Sequence, residues 1–235
     1  MSNSRTLLLA SAALCAVAST ALAAGPAPAP FGAPSAWTGF NVGLQGGYGW
    51  AGENDDLSFT QFTYNADHFT ANGPFGGAHI GYDQQLGSLV IGGRVELDGS
   101  GLNGSTSTTA PLNSSCEGCT VTLAFHNTWQ AFLLAHAGVA FDRWLIYVTG
   151  GLALGDDRES STVTGGTPSS GSQTQTLTGG AIGLGTEYAF DAHWRFGAEW
   201  RYVTFPKSSG FSVSGVPYKA GFNENLALVS LSYGF

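Results

Sequence analysis

Large apolar side chains alternate with small or polar ones along Ala227-Leu228-Val229-Ser230-Leu231-Ser232-Tyr233-Gly234-Phe235. Because successive side chains of an extended strand point to opposite faces, Val229, Leu231, Tyr233 and Phe235 share one face. Ser230, Ser232 and Gly234 share the other. A strand that presents aliphatic and aromatic side chains outward is typical of a barrel whose outer face meets lipid.

The same period of two recurs along the chain, in segments about long enough to cross a bilayer core as tilted strands. Together with the last segment, the predicted strands are 40–50, 75–84, 88–98, 122–140, 145–155, 176–190, 194–205 and 224–235. In lipid every backbone N–H and C=O must be paired within the protein, so such a sheet has to close. We therefore expect an all-β fold, an eight-stranded antiparallel up-and-down transmembrane β-barrel.

The connections between these segments alternate in length. The long ones are 51–74, 99–121, 156–175 and 206–223, and the short ones are 85–87, 141–144 and 191–193. Short turns at one end and long loops at the other are typical of outer-membrane barrels. A soluble periplasmic binding barrel, the alternative, has no reason to place its long loops at one end. The Ser/Thr/Gly-rich segment 160–176 is expected to be a flexible surface loop.

Composition agrees with this fold. Charged residues make up 10% of the chain, against about 25% in soluble domains. The formal net charge of −8 makes a nucleic-acid partner unexpected. No segment after residue 24 has about 18 continuous apolar residues, so no transmembrane helix is expected. Seven aromatic residues near strand ends are expected at the lipid headgroups: Trp37, Trp50, Trp129, Trp144, Tyr188, Trp194 and Phe235.

The N-terminal segment indicates export. Arg5 precedes an apolar stretch, 7–17, and Ala21-Leu22-Ala23-Ala24 offers a small-residue cleavage site. A membrane-anchoring helix is the alternative, but the apolar stretch is short. We predict a cleaved signal peptide over 1–24, a Pro/Ala-rich periplasmic linker over 25–36 and the barrel over 37–235. The linker is expected to be extended and semi-rigid.

Six charged side chains face the lumen by strand parity: Arg94, Glu96, Glu187, Arg195, Glu199 and Arg201. They could form a selectivity ring or charged gate, or a buried salt-bridge network that fills the lumen. The network is the favoured interpretation. Opposite charges in a narrow barrel compensate each other, and removal of one leaves its partner buried and unpaired.

The remaining candidate residues offer little catalytic chemistry. Cys116 and Cys119 are expected to form a small disulfide in an oxidising compartment, since no further metal ligands stand near them. His79, His126 and His136 fall on predicted inward faces without a Gly-x-Ser-x-Gly elbow. We therefore expect no enzyme, no cofactor and no metal, although an outer-membrane enzyme remains a distant alternative.

Two acidic clusters lie in the predicted long loops. The first contains Glu53, Asp55, Asp56 and Asp67, and the second contains Asp156, Asp157 and Glu159. They could bind divalent cations shared with lipopolysaccharide phosphates. A solvated acidic rim is the favoured interpretation, because their spacing does not match that of a calcium-binding EF-hand loop.

Four stretches resemble the porin-like surface antigens of alphaproteobacterial outer membranes. They are Trp37-Thr38-Gly39-Phe40-Asn41-Val42-Gly43, Phe141-Asp142-Arg143-Trp144-Leu145-Ile146-Tyr147-Val148-Thr149-Gly150-Gly151, Glu187-Tyr188-Ala189-Phe190 and Glu199-Trp200-Arg201-Tyr202-Val203. The resemblance covers the chain from about Trp37 to Phe235, apart from the long loops. It implies an integral outer-membrane protein with a periplasmic N-terminus and extracellular long loops.

The resemblance also implies partners and a function. The assembly machinery of such barrels would read the terminal strand, with Tyr233 and Phe235 as its signal. Outer-membrane lipids and lipopolysaccharide would surround the barrel, and the linker makes peptidoglycan a further candidate partner. We expect a surface protein with a structural role in envelope integrity and in surface interactions. A small-solute porin is the alternative.

This chain departs from the family on the fourth strand. Relatives usually carry lumen-facing arginines there, where this chain has Leu134 and His136. Phe132, Leu226 and Leu228 also point inward by parity. We expect a drier and more obstructed lumen on that side, which weakens the case for an ion-conducting path.

Overall fold

The computed structural model describes residues 37–52, 56–59, 62–65, 70–109, 120–165, 169–206, 208–213, 216–220 and 222–235. They belong to one compact unit, Ala33–Phe235. The predicted signal peptide and linker lie outside the described residues, as do Cys116 and Cys119. No helix in the described part of the chain is long and apolar enough to cross a membrane.

Eight strands form the ring of the barrel. They are β1 (Gly39–Gly52), β4 (Thr70–Leu86), β5 (Leu89–Ser100), β8 (Trp129–Phe141), β9 (Trp144–Thr164), β10 (Ser169–Ala189), β11 (Trp194–Thr204) and β14 (Asn223–Gly234). Six shorter strands form hairpins between them: β2 (Asp56–Phe59), β3 (Phe62–Asn65), β6 (Asn103–Thr109), β7 (Thr120–His126), β12 (Ser208–Val213) and β13 (Val216–Ala220).

The sheet closes on itself. Around the ring the order is β1, β14, β11, β10, β9, β8, β5, β4 and back to β1, with every neighbour antiparallel. The predicted eight-stranded up-and-down barrel is therefore confirmed. Closure leaves no unpaired sheet edge within the ring, which is the condition for a sheet to survive in hydrocarbon.

The first and last strands form the seam of the barrel. Their register runs without interruption from Asn41 opposite Gly234 to Gly52 opposite Asn223. Beyond it, the Phe235 N–H donates to the Phe40 carbonyl at 2.9 Å. Gly39 has a φ of 131°, and a Cβ there would lie 2.5 Å from the Phe235 carbonyl oxygen. Glycine thus allows the chain to turn into the barrel against its own C-terminal residue.

The outer face carries the apolar half of each strand. Exposed aliphatic side chains include Leu44, Val95, Leu133 and Leu184. Aromatic rings surround the end that carries the short connections 87–88, 142–143 and 190–193, which we call the turn end. They are in contact as Phe40–Tyr82, Trp144–Tyr188, Tyr188–Phe190, Trp194–Tyr233 and Tyr233–Phe235.

The opposite end, which carries the hairpins β2–β3, β6–β7 and β12–β13, we call the hairpin end. Tyr48, Trp50 and Trp200 are exposed towards it. Along β1, Phe40 and Trp50 are about 25 Å apart in the direction of the barrel axis. This height follows from a length of about 3.3 Å per residue along a strand tilted by about 40°. That height matches the apolar band of an outer-membrane barrel.

Residues 156–164 and 169–175 are strand rather than a flexible loop, so that expectation was wrong for them. Strand β9 continues to Thr164 and β10 begins at Ser169, with regular pairing from Ser169–Val163 to Tyr188–Trp144. The apolar alternation on which the prediction relied stops where the strands leave lipid, because neither face then needs apolar side chains. Backbone pairing has no such requirement and continues.

The predicted strand 122–140 is in fact two strands. β7 pairs with β6 and with the extension of β9, whereas β8 belongs to the ring. Asn127 and Thr128 separate them. The Asp156 carboxylate accepts hydrogen bonds from the backbone N–H groups of Thr128 and Trp129 at 2.8 and 2.9 Å. This carboxylate fixes the break.

Asp191 lies at the turn end, outside the membrane band, in the connection between β10 and β11. The exposed Asp191 carboxylate accepts from the backbone N–H groups of Trp194 and His193 at 2.8 and 2.7 Å. These bonds, Trp194 first, lower the pKa of Asp191. They hold the connection between β10 and β11.

The lipid contact of the outer face can be tested with a charge. Leu133 is 57% exposed near the middle of β8. We expect Leu133→Arg to lower the free energy of unfolding by about 2–4 kcal/mol, and Phe141→Arg at the turn end by about 0–1 kcal/mol. Urea unfolding in lipid vesicles measures both. Equal costs at the two positions would contradict a lipid-facing band.

The closed lumen as the candidate functional site

Four charged side chains meet at the centre of the lumen. Arg94 and Glu96 come from β5, and Glu199 and Arg201 come from β11 on the opposite wall. Arg94 Nε lies 2.8 Å from Glu96, and Arg94 also contacts Glu199. Arg201 lies 2.7 Å from Glu96 and 2.8 Å from Glu199. We call these residues the central quartet; its two cations and two anions alternate, and none is more than 6% exposed.

Neighbouring side chains satisfy more of the quartet's polar atoms. The Tyr147 hydroxyl donates to Glu199 at 2.8 Å, and Gln45 Nε2 donates to Glu96 at 3.0 Å. The Arg201 guanidinium stacks over the Phe132 ring at 4.7 Å. A buried ion pair is tolerated only when its remaining donors and acceptors are also bonded. Most polar atoms of the quartet meet that condition, although Arg94 Nε, 2.8 Å from Glu96, makes no hydrogen bond. The quartet spans the lumen from β5 to β11.

Of the six predicted charged residues, the structure brings Arg94, Glu96, Glu199 and Arg201 together and places Glu187 at their edge, 3.8 Å from Arg94. Arg195 lies elsewhere. It pairs with Asp83 at 2.7 Å, and Asp83 also contacts His136 at 2.8 Å. Asn41 donates to the same carboxylate at 3.0 Å. A second charged cluster therefore lies nearer the turn end.

Trp37 closes the turn end of the lumen. It is 1% exposed and packs with Val90, Leu145, Tyr147 and Ala189. Its ring lies 4.9 Å from the Arg195 guanidinium. The expectation that Trp37 sits among the headgroup aromatics was therefore wrong. The positive φ of Gly39 turns the chain inward, and a buried guanidinium offers the ring a cation–π contact that lipid headgroups do not.

An apolar layer closes the lumen towards the hairpin end. Phe132, Leu134, Leu226 and Leu228 are each at most 5% exposed and belong to one cluster. Phe75, Phe125, Phe205 and Phe222 join them. The Phe205 and Phe222 ring centroids are 4.7 Å apart, and those of Phe125 and Phe222 are 5.1 Å apart. Leu134 thus packs within this layer, whereas His136, two residues further along β8, contacts Asp83 instead.

The structure also places the histidines and acidic clusters. His79 is buried and bonded to Gln45 and Ser232, at 3.1 and 3.0 Å. His126, predicted inward, is exposed because the break at 127–128 removes β7 from the ring. Asp156 and Asp157 are 6% and 1% exposed, so the solvated rim expected there was wrong. Glu53, Asp55, Asp67, Cys116 and Cys119 lie outside the described residues, and Asp56 begins β2.

Sequence reasoning missed four lumen residues that matter. Asp83, Asp98, Glu224 and Gln45 share inward faces with the predicted charges and are at most 7% exposed. Strand parity alone would have found them. Their number changes the charge of the lumen, because three of the four are carboxylates.

Residues 8–235 match the sequence profile of the family described as outer membrane protein beta-barrel domain. The chain is 30% identical over 222 residues to the 31 kDa outer-membrane immunogenic proteins of Brucella melitensis and Brucella suis, covering 88% of each chain. This chain belongs to that outer-membrane β-barrel family. It is therefore an integral protein of the outer membrane.

Solved structures give weaker likenesses to this outer-membrane barrel. OprG from Pseudomonas aeruginosa is 16% identical with a TM-score of 0.48, covering 85% of this chain and 97% of that one. Neisserial surface protein A is 17% identical with a TM-score of 0.43, covering 84% and 98%.

The quartet generates a prediction about stability. Arg201→Met leaves Glu96 and Glu199 in the lumen with one cation fewer, and we expect it to cost about 3–5 kcal/mol. The double variant Arg201→Met/Glu96→Gln is expected to cost less than the sum of its parts, because each change removes the other's unpaired charge. Urea unfolding in lipid vesicles measures these free energies.

Arg143→Met is the matched control for that series. Arg143 is an exposed turn-end arginine whose guanidinium donates to the Phe190 carbonyl at 3.1 Å. We expect a cost of at most about 0.5 kcal/mol there. If Arg201→Met cost no more than Arg143→Met, the quartet would contribute nothing to holding the barrel.

Proposed function

We propose that this protein is a structural surface barrel of the outer membrane, which contributes to envelope integrity and has no solute path through its lumen. The observation that supports this most is the central quartet, in which Arg201 of β11 meets Glu96 of β5 and Arg94 of β5 meets Glu199 of β11 at hydrogen-bond distance. Trp37 on one side and the apolar layer on the other add two further obstructions.

The hairpin end is the part of this protein that we propose for interactions outside the cell. There β6, β7, β9 and β10 pair side by side beyond the ring. Exposed hydroxyl side chains cover β10, among them Ser170, Ser172 and Thr174. The Brucella relatives are described as immunogenic. We infer that antibodies against this barrel would contact these hairpins.

We also propose the partners of the barrel. Outer-membrane lipids and lipopolysaccharide would contact the apolar outer face, and the assembly machinery would bind the terminal strand. The linker 25–36 could span up to about 30 Å at about 3 Å per residue, enough to leave the membrane surface towards peptidoglycan. Finding no peptide from this linker on digested cell-wall sacculi would contradict the last contact.

Conductance in planar bilayers tests the closed lumen. We expect purified, refolded protein to insert without current steps of defined size, because the quartet and the apolar layer leave no hydrated column. The double variant Phe132→Ser/Leu228→Ser, which opens the apolar layer, shows whether leakage can be detected. Heat-modifiable gel mobility establishes that each sample is folded. Uniform steps from the wild type would favour the small-solute porin instead.

The terminal residue is expected to act during assembly. Phe235 is 73% exposed. Its backbone N–H bonds Phe40 at the seam, and its ring contacts Tyr233 on the outer face. We expect deletion of Phe235 to lower the yield of folded protein in outer membranes severalfold, while the little that assembles melts as the wild type does. Phe190→Ala, another exposed turn-end aromatic, is the control. Normal yield of the deletion would contradict an assembly signal.

A further inference from the structure

Carboxylates outnumber guanidinium groups in the lumen. Within the quartet Arg94 and Arg201 offset Glu96 and Glu199, and Arg195 offsets Asp83. Three carboxylates then have no guanidinium of their own. Glu187 lies 3.8 Å from Arg94, which already belongs to the quartet. The other two are Asp98 and Glu224, 1% and 0% exposed. No Lys, Arg or His nitrogen of the described residues lies within 4.0 Å of either carboxylate.

Each of these two carboxylates is held by a single amide group. Gln45 Nε2 donates to both oxygens of Asp98 at 2.8 and 3.0 Å. Gln130 Nε2 donates to both oxygens of Glu224 at 2.8 and 3.0 Å, across the lumen from β8 to β14. Gln130 is also the cross-strand partner of Asp98, so both carboxylates lie beside one amide side chain. One amide does not offset the cost of burying a carboxylate.

A second observation concerns two buried amide oxygens of the described residues. Gln130 Oε1 is buried without a hydrogen-bond donor, and so is Asn127 Oδ1. The two residues are 1% and 0% exposed. Gln130 is the cross-strand partner of Asp98 on one side and of Gly155 on the other. A Cβ on Gly155 would lie 3.6 Å from Gln130 Cγ and 3.4 Å from Asn127 Nδ2, so the two amides are neighbours.

All the unsatisfied atoms named here are oxygens. The NH₂ group of Gln130 is committed to Glu224, and that of Asn127 donates to the Asp156 carbonyl at 2.5 Å. What this part of the lumen requires is therefore positive charge beside carboxylate and amide oxygens. Oxygen ligands of this kind are those preferred by hard cations such as Ca²⁺ and Mg²⁺.

We propose that Asp98, Gln130 and Glu224 bind one divalent cation of the Ca²⁺ or Mg²⁺ class. Two carboxylates match its charge, Gln130 Oε1 supplies a third ligand, and water completes the coordination. The described residues contain no group of three or more His, Cys, Asp and Glu arranged to hold a metal, so the amide oxygen is essential to this site. The ion would tie β5, β8 and β14 together.

Metal content and unfolding rate test this site. The full barrel is refolded in chelator-treated buffer, then dialysed against CaCl₂, MgCl₂ or EDTA. We expect one Ca²⁺ or Mg²⁺ per chain by elemental analysis. Unfolding at fixed temperature, followed by heat-modifiable gel mobility, is expected to slow about tenfold at an ion concentration about ten times the dissociation constant. A response to either ion supports the site, and the ion that gives it identifies the occupant.

Two variants remove the site and one leaves it. Glu224→Gln and Asp98→Asn are each expected to lose the bound ion and the difference between EDTA and the divalent salt. Glu187→Gln removes a different lumen carboxylate, on β10, and should keep both. If one of the first two variants fails to fold, the other makes the same test. The metal content of the wild-type protein tests the site even if both variants fail to fold.

Two results would overturn the site. The first is wild-type protein that contains no divalent ion after dialysis and unfolds equally fast in EDTA and in CaCl₂ or MgCl₂. The second is an ion effect that persists in both Glu224→Gln and Asp98→Asn. Neither result shows whether the lumen conducts ions. The proposed function is tested separately, by the conductance measurement.

Discussion

Backbone hydrogen bonding in hydrocarbon is the constraint from which the rest of this structure follows. A strand edge exposed to acyl chains leaves N–H and C=O groups unpaired at a cost of several kcal/mol each. The chain meets the constraint by pairing β1 with β14, with the Phe235 N–H extending the seam to Phe40. Closure then fixes which side chains face lipid, because parity along each strand sends alternate residues inward.

Closing only eight strands leaves a lumen just wide enough for side chains. The side chains that fill this lumen change in type along the barrel axis. Trp37 and the Asp83–Arg195 pair lie at the turn end, the central quartet follows, and an apolar layer of phenylalanine and leucine lies towards the hairpin end. In the first two levels only Glu187 lacks a guanidinium of its own. Asp98 and Glu224 are further buried carboxylates, and no guanidinium nitrogen of the described residues lies within 4.0 Å of them.

Most of the ring could be read from the sequence, because lipid imposes a strict period of two on it. Strand parity placed Arg94, Glu96, Glu199 and Arg201 inward. Parity also placed Phe132, Leu134, Leu226 and Leu228 inward, which anticipated the obstructed side. Beyond the membrane that period ends, so the extensions of β9 and β10 looked like loops. The sequence did not predict which lumen residues pair with one another. Arg195 pairs with Asp83, and the Trp37 ring packs against the Arg195 guanidinium. Both contacts depend on the stagger between strands and on the backbone turn at Gly39.

Methyl NMR in lipid nanodiscs tests the central claim of this account, which is an outer face in lipid around a dry, packed lumen. With labelled leucine and valine methyl groups, we predict cross-peaks to acyl-chain protons from Leu44, Val95, Leu184 and Leu231, which face outward. Leu134 and Leu228 should show cross-peaks to neither lipid nor water, only to each other and to the surrounding inward side chains. Water cross-peaks at those two inward leucines, or acyl-chain cross-peaks missing from the outward set, would contradict the account.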